Sequence, residues 1–463
     1  MGGIAGRIDL TKFTGLFKTY TELRAQENSI TQIMFVKGNN VANVRSVTSG
    51  VSARAYKNGA WGFASSPALT PEAVSLVLQV ATENALFLDA KEQKGKAPLP
   101  LQTISSVNDF STKKPRLSQK ELLDFVRQID ADIARRYPNL ASRTVTLNCL
   151  DMEKTLVTSD GSHSHSLIPR SNLSVILSLE KDGQPVELAE VYGGLGQFEH
   201  VFDSPSSLDE AIDRQFEHLS KKSEGVYPKA GMHTCVLDAN LAGILAHEAI
   251  GHTCEADLVR GGSVAGEWIG KQVASPLVTL VDFANTALGE RCPVPVYVDD
   301  EGTPAQDVVI IEKGVLKSFL HDKESALYFG VAPTGNARAF QFSDEPLIRM
   351  RNTAILPGES QLEDMIASIE DGYYLMKPGN GQADLTSEFM FAVNLGYEIK
   401  NGKLGRAIKD TTISGIAFDM LKTVSMVSAD MKWLNAGMCG KKQPIPVGMG
   451  GPAIKCQVKI GGR

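Results

Sequence analysis

The residues most able to do chemistry in this 463-residue chain lie in Leu245-Ala-His-Glu-Ala-Ile-Gly-His-Thr-Cys-Glu-Ala-Asp257. His247 and His252 bracket Glu248 in an H-E-x-x-x-H pattern. Zinc peptidase chemistry asks for two neutral imidazoles to hold the metal and a carboxylate to work on the water. The apolar run from Leu241 to Ala246 can bury the helix that carries them. The spacing is unusual, because zinc-binding helices place their histidines at i and i+4, on one face. At i and i+5 the side chains stand roughly 140° apart on a regular helix. A π-bulge, or a break at Gly251, is needed to bring them to a common point. The competing reading is a pair of unrelated histidines on an ordinary buried helix.

Two histidines leave a catalytic zinc one protein ligand short. The sequence offers Cys254, Glu255, Asp257, Cys292, His321, Cys439 and Cys456. Cys254 and Glu255 follow the motif too closely to turn back onto it, and Asp257 is better placed to hold a ligand histidine from behind. Cys439 sits in Ala436-Gly-Met-Cys-Gly-Lys-Lys-Gln-Pro-Ile-Pro-Val-Gly-Met-Gly-Gly451, a glycine-rich loop that can bring a thiolate close to a metal. A cysteine is more often a small buried hydrophobe, so the third ligand stays open at this point. His163 and His165 read better as residues of a solvated strand or turn than as ligands.

These residues must be positioned by a large scaffold, and the length allows two or three domains. A hydrophobic content of 43% and a charged content of 22% are those of an ordinary globular protein. The net charge of −6, without a basic stripe, argues against a nucleic-acid partner. No run approaches the ~18 apolar residues of a membrane span, and no signal-peptide core opens the chain, so no membrane role is expected. Six widely separated cysteines suggest reduced thiols and a cytoplasmic location.

Along the chain, strands are expected from residue 31 to 66, turning at Asn58-Gly59. Thr70-Pro71-Glu72 opens a helix running to about Phe87. Ser118-x-x-Glu121 caps another through Leu122, Val126, Ile129 and Ile133. Strands follow from about 143 to 202, with a hairpin at Asp182-Gly183, and Ser207-x-x-Glu210 caps a helix ending near Lys221. Residues 219 to 234 read as a linker. The expected class is α+β with two domains. Residues 1–222 form an antiparallel sheet with helices. Residues 223–463 form a large curved, barrel-like β body carrying the metal-motif helix. Strands are expected there at 277–282, 294–299, 307–320, 389–400, 404–416 and 445–460, with a hairpin at Asn401-Gly402 and a helix from Ser360 to Ile369.

The chain resembles the TldD/PmbA (TldD/TldE) metallopeptidases, once labelled modulators of DNA gyrase. The likeness covers nearly the whole length. It is densest at His247–His252 with Glu255 and Asp257, at Asp299-Asp-Glu-Gly-Thr-Pro304, at Pro333-Thr-Gly-Asn336, at Gly379-Asn-Gly-Gln-Ala-Asp-Leu-Thr386, and at Cys439-Gly-Lys with Val447-Gly-Met-Gly450. The resemblance implies zinc held by His247, His252 and Cys439, with Glu248 as the catalytic carboxylate. It implies a TldD-type subunit beside a TldE/PmbA-type partner, a homodimer being the other arrangement; an extended peptide pairing with an edge strand of the C-terminal body suits unfolded proteins or short peptides as substrates. In that reading zinc activates a water and Glu248 takes its proton as general base. Two other readings compete: a non-catalytic regulatory protein, and a thiol hydrolase using Cys254 beside His252. The Gly379-Asn-Gly-Gln382 stretch reads as a plain turn more readily than as a groove wall.

Overall fold

A computed structural model describes residues 4–434 and 436–461. The first half is organised by three very long strands, β1 (Tyr20–Val36), β2 (Asn39–Lys57) and, further on, β5 (Ser142–Thr158). With β3 (Ala60–Ser66), β4 (Ser105–Asp109), β6 (His163–Lys181) and β7 (Gln184–Leu195) they form one sheet in the order β3-β2-β1-β5-β6-β4, β7 also pairing β6. All its ladders are antiparallel except that of β4 with β6. Asn58-Gly59 and Asp182-Gly183 turn with positive φ at both residues, as type I′ hairpins require. The strand region begins at Tyr20, eleven residues before the expected start.

Helix Pro71–Glu92 starts on the predicted Thr70 cap and lays Val74, Val77, Leu78, Ala81 and Ala85 on the sheet. Contrary to the expectation of no such segment, its length and mean hydropathy of 1.2 are those of a membrane span by composition alone. Helix Gln119–Arg136 has the full capping box of Ser118 and Glu121. The second expected box does not form. Residues Pro205–Leu208 make a 3₁₀ turn, Ser207 Oγ donates to Ser204 O, and the helix Asp209–Ser223 has no side-chain cap. Residues 219–234 are less of a linker than their composition suggested. Their first turn completes that helix, Val226 bridges to Ile408, and β8 (Gly231–Leu237) begins before they end.

Beyond β8 come the helix Ala239–Leu245, β9 (Leu280–Phe283), β10 (Val308–Glu312), β11 (Val315–Leu316) and β12 (Asn352–Ile355). They are followed by β13 (Asp371–Ala383), β14 (Glu388–Lys400), β15 (Lys403–Ile408) and β16 (Thr411–Ile416). The last strands are β17 (Lys432–Leu434), β18 (Met438–Cys439), β19 (Ile445–Pro446), β20 (Gly448–Gly451) and β21 (Ile454–Ile460). Strands β13, β8, β21, β16 and β14 pair in that order, and β14 pairs β13 again, closing a five-stranded barrel. The class is therefore α+β, with a barrel in the C-terminal half. A second sheet, β11-β10-β9-β12-β20-β17, stands beside it. Residues 294–299 are not a strand; they make no ladder, and an isolated bridge from Val298 to Pro304 joins hydrogen bonds such as Val296 N to Ala284 O and Val294 N to Asn352 Oδ1 in holding them. The predicted 360–369 helix is shorter, Leu362–Ala367.

The two sheets share a core and a set of buried charges. Ile33, Phe35, Val145 and Leu173 pack in one apolar cluster with Val236, Tyr374, Leu395 and Tyr397. Arg54 pairs with Glu22 at 2.9 Å and with Glu301, and Lys323 with Asp160 at 2.8 Å, every one of these side chains buried. Lys154 donates to Asp300 at 2.7 Å. The Asp299–Pro304 stretch thus seals the halves together, and Asp299 accepts from the N–H groups of Glu301, Thr303 and Ala337.

Candidate metal centre

The helix carrying the motif is set deep. Asp238 caps it by accepting from Leu241 N, and Leu241, Ala242, Leu245, Ala249 and Ile250 share one core with barrel residues Leu375, Phe391, Val393 and Ile454. Gly243 lets β20 come close: a Cβ there would lie 3.0 Å from Gly450 N. From Ala246 to Gly251 the backbone changes to a π-helical turn, with His252 N donating to His247 O. The hydrogen bond now spans five residues and the turn is wider, so His247 and His252 come together with ring centroids 5.2 Å apart. The i,i+5 spacing that would separate them on an α-helix is the one that a π turn aligns.

The third group arrives from β18. Cys439 Sγ lies 3.2 Å from His252 Nε2, and one donor atom each of His247, His252 and Cys439 fall within 4.8 Å of one another. No other such cluster of three occurs among the described residues. Of the remaining third-ligand candidates, Cys254, Cys292 and Cys456 are buried, and burial pushes each thiol up to about 12. His321 stacks near Phe319 and Phe329, and burial brings its imidazole down to about 4. His163 and His165 lie on β6, away from the cluster, with His165 Nε2 3.1 Å from Glu153.

The electrostatics fit a cation. Burial would raise the Cys439 thiol, yet the two imidazoles beside it hold it down to about 3, a thiolate at neutral pH. Burial likewise opposes charge on His252, while Glu255 and the sulfur push it up to about 10. His247 is fully buried and neither of its ring nitrogens has a hydrogen-bond partner. An orphaned buried imidazole is costly unless something else takes its lone pair. Two imidazole nitrogens and one thiolate are a borderline-soft donor set, suited to zinc.

Behind the donors stands a support that the sequence reading misplaced. Glu255, not Asp257, holds the histidine: its Oε2 is 3.0 Å from His252 Nδ1. Asp257 instead meets Lys441 at 2.7 Å, and Lys441 also donates to Glu255 at 3.0 Å. An acid three residues past a helical histidine lies on its face, which is the signal that could have found Glu255. The Cys439 loop is pinned by Arg349, fully buried, whose Nη2 donates to Cys439 O and Nη1 to Gln443 O. Glu248 Oε2 is 3.7 Å from His252 Nε2, and its side chain keeps 26% exposure at the mouth of a pocket. That pocket is walled by Ile244, Gly379, Asn380, Phe391, Met438 and Met449 among others. Gly379 to Gln382 is thus no free turn. It belongs to β13, at a bulge where the register with β14 shifts between Pro378 and Gly381, and Gly379, Asn380 and Gly381 line the groove.

Residues 230–462 match the family described as the PmbA/TldA metallopeptidase C-terminal domain, and residues 21–85 match its domain 1. A Haemophilus influenzae protein named metalloprotease TldD homolog is 30% identical over 89% of this chain and 86% of its own. The chain belongs to the TldD/PmbA metallopeptidase family. A Saccharolobus solfataricus relative, named zinc metalloprotease TldD homolog, is 29% identical, covering 90% of each chain. Two solved structures share the fold. A Thermotoga maritima protein described as a modulator of a DNA gyrase aligns with a TM-score of 0.78 at 18% identity, over 99% of both chains. TldE from Thermococcus kodakarensis aligns at 0.73 and 18%, over 99% of this chain and 100% of that one.

Proposed function

We propose that this TldD/PmbA-family protein is a zinc-dependent peptidase acting on short peptides or unfolded proteins, with Glu248 as its acid–base residue. The observation that carries this reading is the meeting of His247, His252 and Cys439 beside a Glu248 that is not needed as a ligand and faces a pocket. Those three residues would hold zinc, which would supply Lewis acidity and bring the pKa of water down to about 7. Glu248 takes the proton from the attacking water and returns it to the departing amine. Glu255 fixes the tautomer of His252 by accepting from Nδ1, which turns Nε2 toward the donor cluster.

The pocket favours an extended backbone over particular side chains. Its wall at Gly379 to Gly381 lies where the β13–β14 ladder is interrupted, so main-chain groups there are free to pair with a peptide. Met438, Met449 and Phe391 give it an adaptable apolar surface. A TldE/PmbA-type subunit or a second copy is the proposed partner, in keeping with the fold shared with TldE. Six unpaired cysteines, all buried, suit a reducing cytoplasm. The proposed division of the chain into 1–222 and 223–463 lies at the end of the helix Asp209–Ser223, between the strands ending at Leu195 and beginning at Gly231.

The alternative of a non-catalytic regulator leaves Glu248 without a purpose. The thiol-hydrolase alternative fails on Cys254, which is buried with its thiol pushed up to about 12. The test is Glu248→Gln, assayed for zinc by elemental analysis and for cleavage of a casein or peptide mixture. Zinc is expected to stay near one per chain, while cleavage falls by at least ~10²-fold. Full cleavage by that variant, or cleavage by wild type unaffected by a strong chelator, removes the proposal.

A further inference from the structure

A second cavity lies apart from the metal centre, between the N-terminal sheet and the ladderless segment 294–300. One wall is a regular sheet face: on β5 and β6, Leu150 sits opposite Arg170, Met152 opposite Ile168, and Lys154 opposite Ser166. The other wall includes Tyr297, Asp300, Arg338 and Pro446.

Arg170 is the anomaly. It is 4% exposed, and none of Nε, Nη1 and Nη2 has a hydrogen-bond partner. A buried guanidinium brings five donors away from bulk solvent, and structures seldom leave such a group unanswered. The other charges around the cavity are already engaged. Lys154 Nζ donates to Asp300 and to Ala339 O, both at 2.7 Å. Arg24 stands 3.5 Å from the same carboxylate. Arg338 donates to the carbonyls of Met350 and Pro446, and Asp299 is taken up by three backbone N–H groups. His165 is paired with Glu153. Neither Arg170 nor Arg338 has a carboxylate partner among the described residues, so the lining carries uncompensated positive charge. Burial is the sole influence on the Arg170 guanidinium, bringing it down to about 10, which leaves it charged at neutral pH.

We propose that this cavity binds a small organic carboxylate, gripped by Arg170, with its apolar body against Leu150, Met152, Ile168 and Tyr297. The planar fork of a guanidinium matches a carboxylate with two parallel hydrogen bonds. Among the described residues of this mixed lining, Arg170 is the cation whose nitrogens have no hydrogen-bond partner, which suits a monoanion; a phosphate, more highly charged, would need more donors than remain. The site stands independently of the peptidase reading. It does adjoin the metal loop, because Pro446 in its wall pairs with Met438, next to Cys439.

The test is calorimetric titration of the full zinc-loaded chain with 3-methylbutanoate and with its uncharged amide, then with acetyl-glycyl-leucine and that peptide's amide. Saturable binding of a carboxylate with at least about tenfold weaker binding of its amide supports the proposal, since an unpaired buried donor rejects the neutral isostere. The dipeptide's result assigns the source: binding marks peptide C-termini, and binding of 3-methylbutanoate alone marks free acids. Arg170→Met should lose the heat and melt no lower than wild type, since no native hydrogen bond is removed. Ile168→Trp, which fills the cavity and spares Arg170, should lose it as well. Absence of saturable binding up to about 10 mM, a weak limit for so small a ligand, overturns the proposal, as does equal binding of acid and amide by wild type. A carboxylate on the proposed zinc would also outrank its amide, so the same titration is run on Cys439→Ala: heat retained there assigns the binding to this cavity, and heat lost there overturns the proposal.

Discussion

Glu255 Oε2 lies 3.0 Å from His252 Nδ1 and 3.0 Å from Lys441 Nζ, so one buried carboxylate is shared by a metal-site imidazole and an ammonium. The acid orients the histidine, and the lysine holds that acid in place. Glu255→Gln should leave the fold intact while lowering zinc affinity about 10- to 100-fold. Competition against a chromophoric chelator reads this directly. Unaltered affinity would show that His252 needs no orientation from behind.

The π turn depends on an absent side chain. A Cβ at Gly251 would lie 1.9 Å from Met350 Sδ, inside any tolerable contact. Gly251→Ala should cost roughly 1–3 kcal/mol in urea unfolding and reduce bound zinc, because the turn must shift. Met350→Ala added to it should restore zinc more than stability, since the thioether's own packing is lost. A fully stable, zinc-replete Gly251→Ala would mean the turn has slack that the packing does not show.

Arg349 fastens the Cys439 loop through two carbonyls at 2.7 Å and 2.8 Å. Lysine keeps the charge but cannot present a fork. Arg349→Lys is expected to lose roughly 1.5–3 kcal/mol for each bond to a charged donor that goes unmade, and to bind zinc less tightly. Denaturant midpoints alongside metal content would separate the two effects.

Asp238 caps the motif helix from a buried position, and burial pushes its carboxyl up to about 6. The folded state therefore holds a proton that the unfolded chain has released between about pH 4 and pH 6. Its contribution to stability falls as pH rises through that window. Asparagine caps equally well without the charge. Asp238→Asn should match wild type near pH 4 and melt higher above pH 6, by an amount on the order of 1–3 kcal/mol. A stability gap that is flat from pH 4 to pH 8 would contradict this.

Much of the scaffold was legible because local chemistry wrote it. The turns at Asn58-Gly59, Asp182-Gly183 and Asn401-Gly402 all adopt the positive φ that their sequences favour. Thr70 and Ser118 cap as their spacing indicates. Ser207 does not, because Pro205 draws that stretch into a 3₁₀ turn first. At the metal centre, the histidine spacing told of a helix that could not be α throughout, and the structure supplies the π turn. What spacing could not choose was a third donor 187 residues away; only the resemblance singled out Cys439. Gly379 to Gln382 misled for a related reason. Glycine and asparagine signal turns, but here they mark a bulge within a strand, where closure of the barrel sets the backbone.

The charges sewn between the halves carry a practical consequence for anyone dissecting this protein. Glu301 and Lys323 come from one side, while Arg54, Glu22 and Asp160 come from the other, all in the dry interior. Expressed alone, residues 223–463 would carry the metal-site residues complete, yet would present a lysine and a glutamate stripped of their counterions on a bared apolar face. Such a fragment should precipitate or clump, so the C-terminal half is best studied with its neighbour still attached.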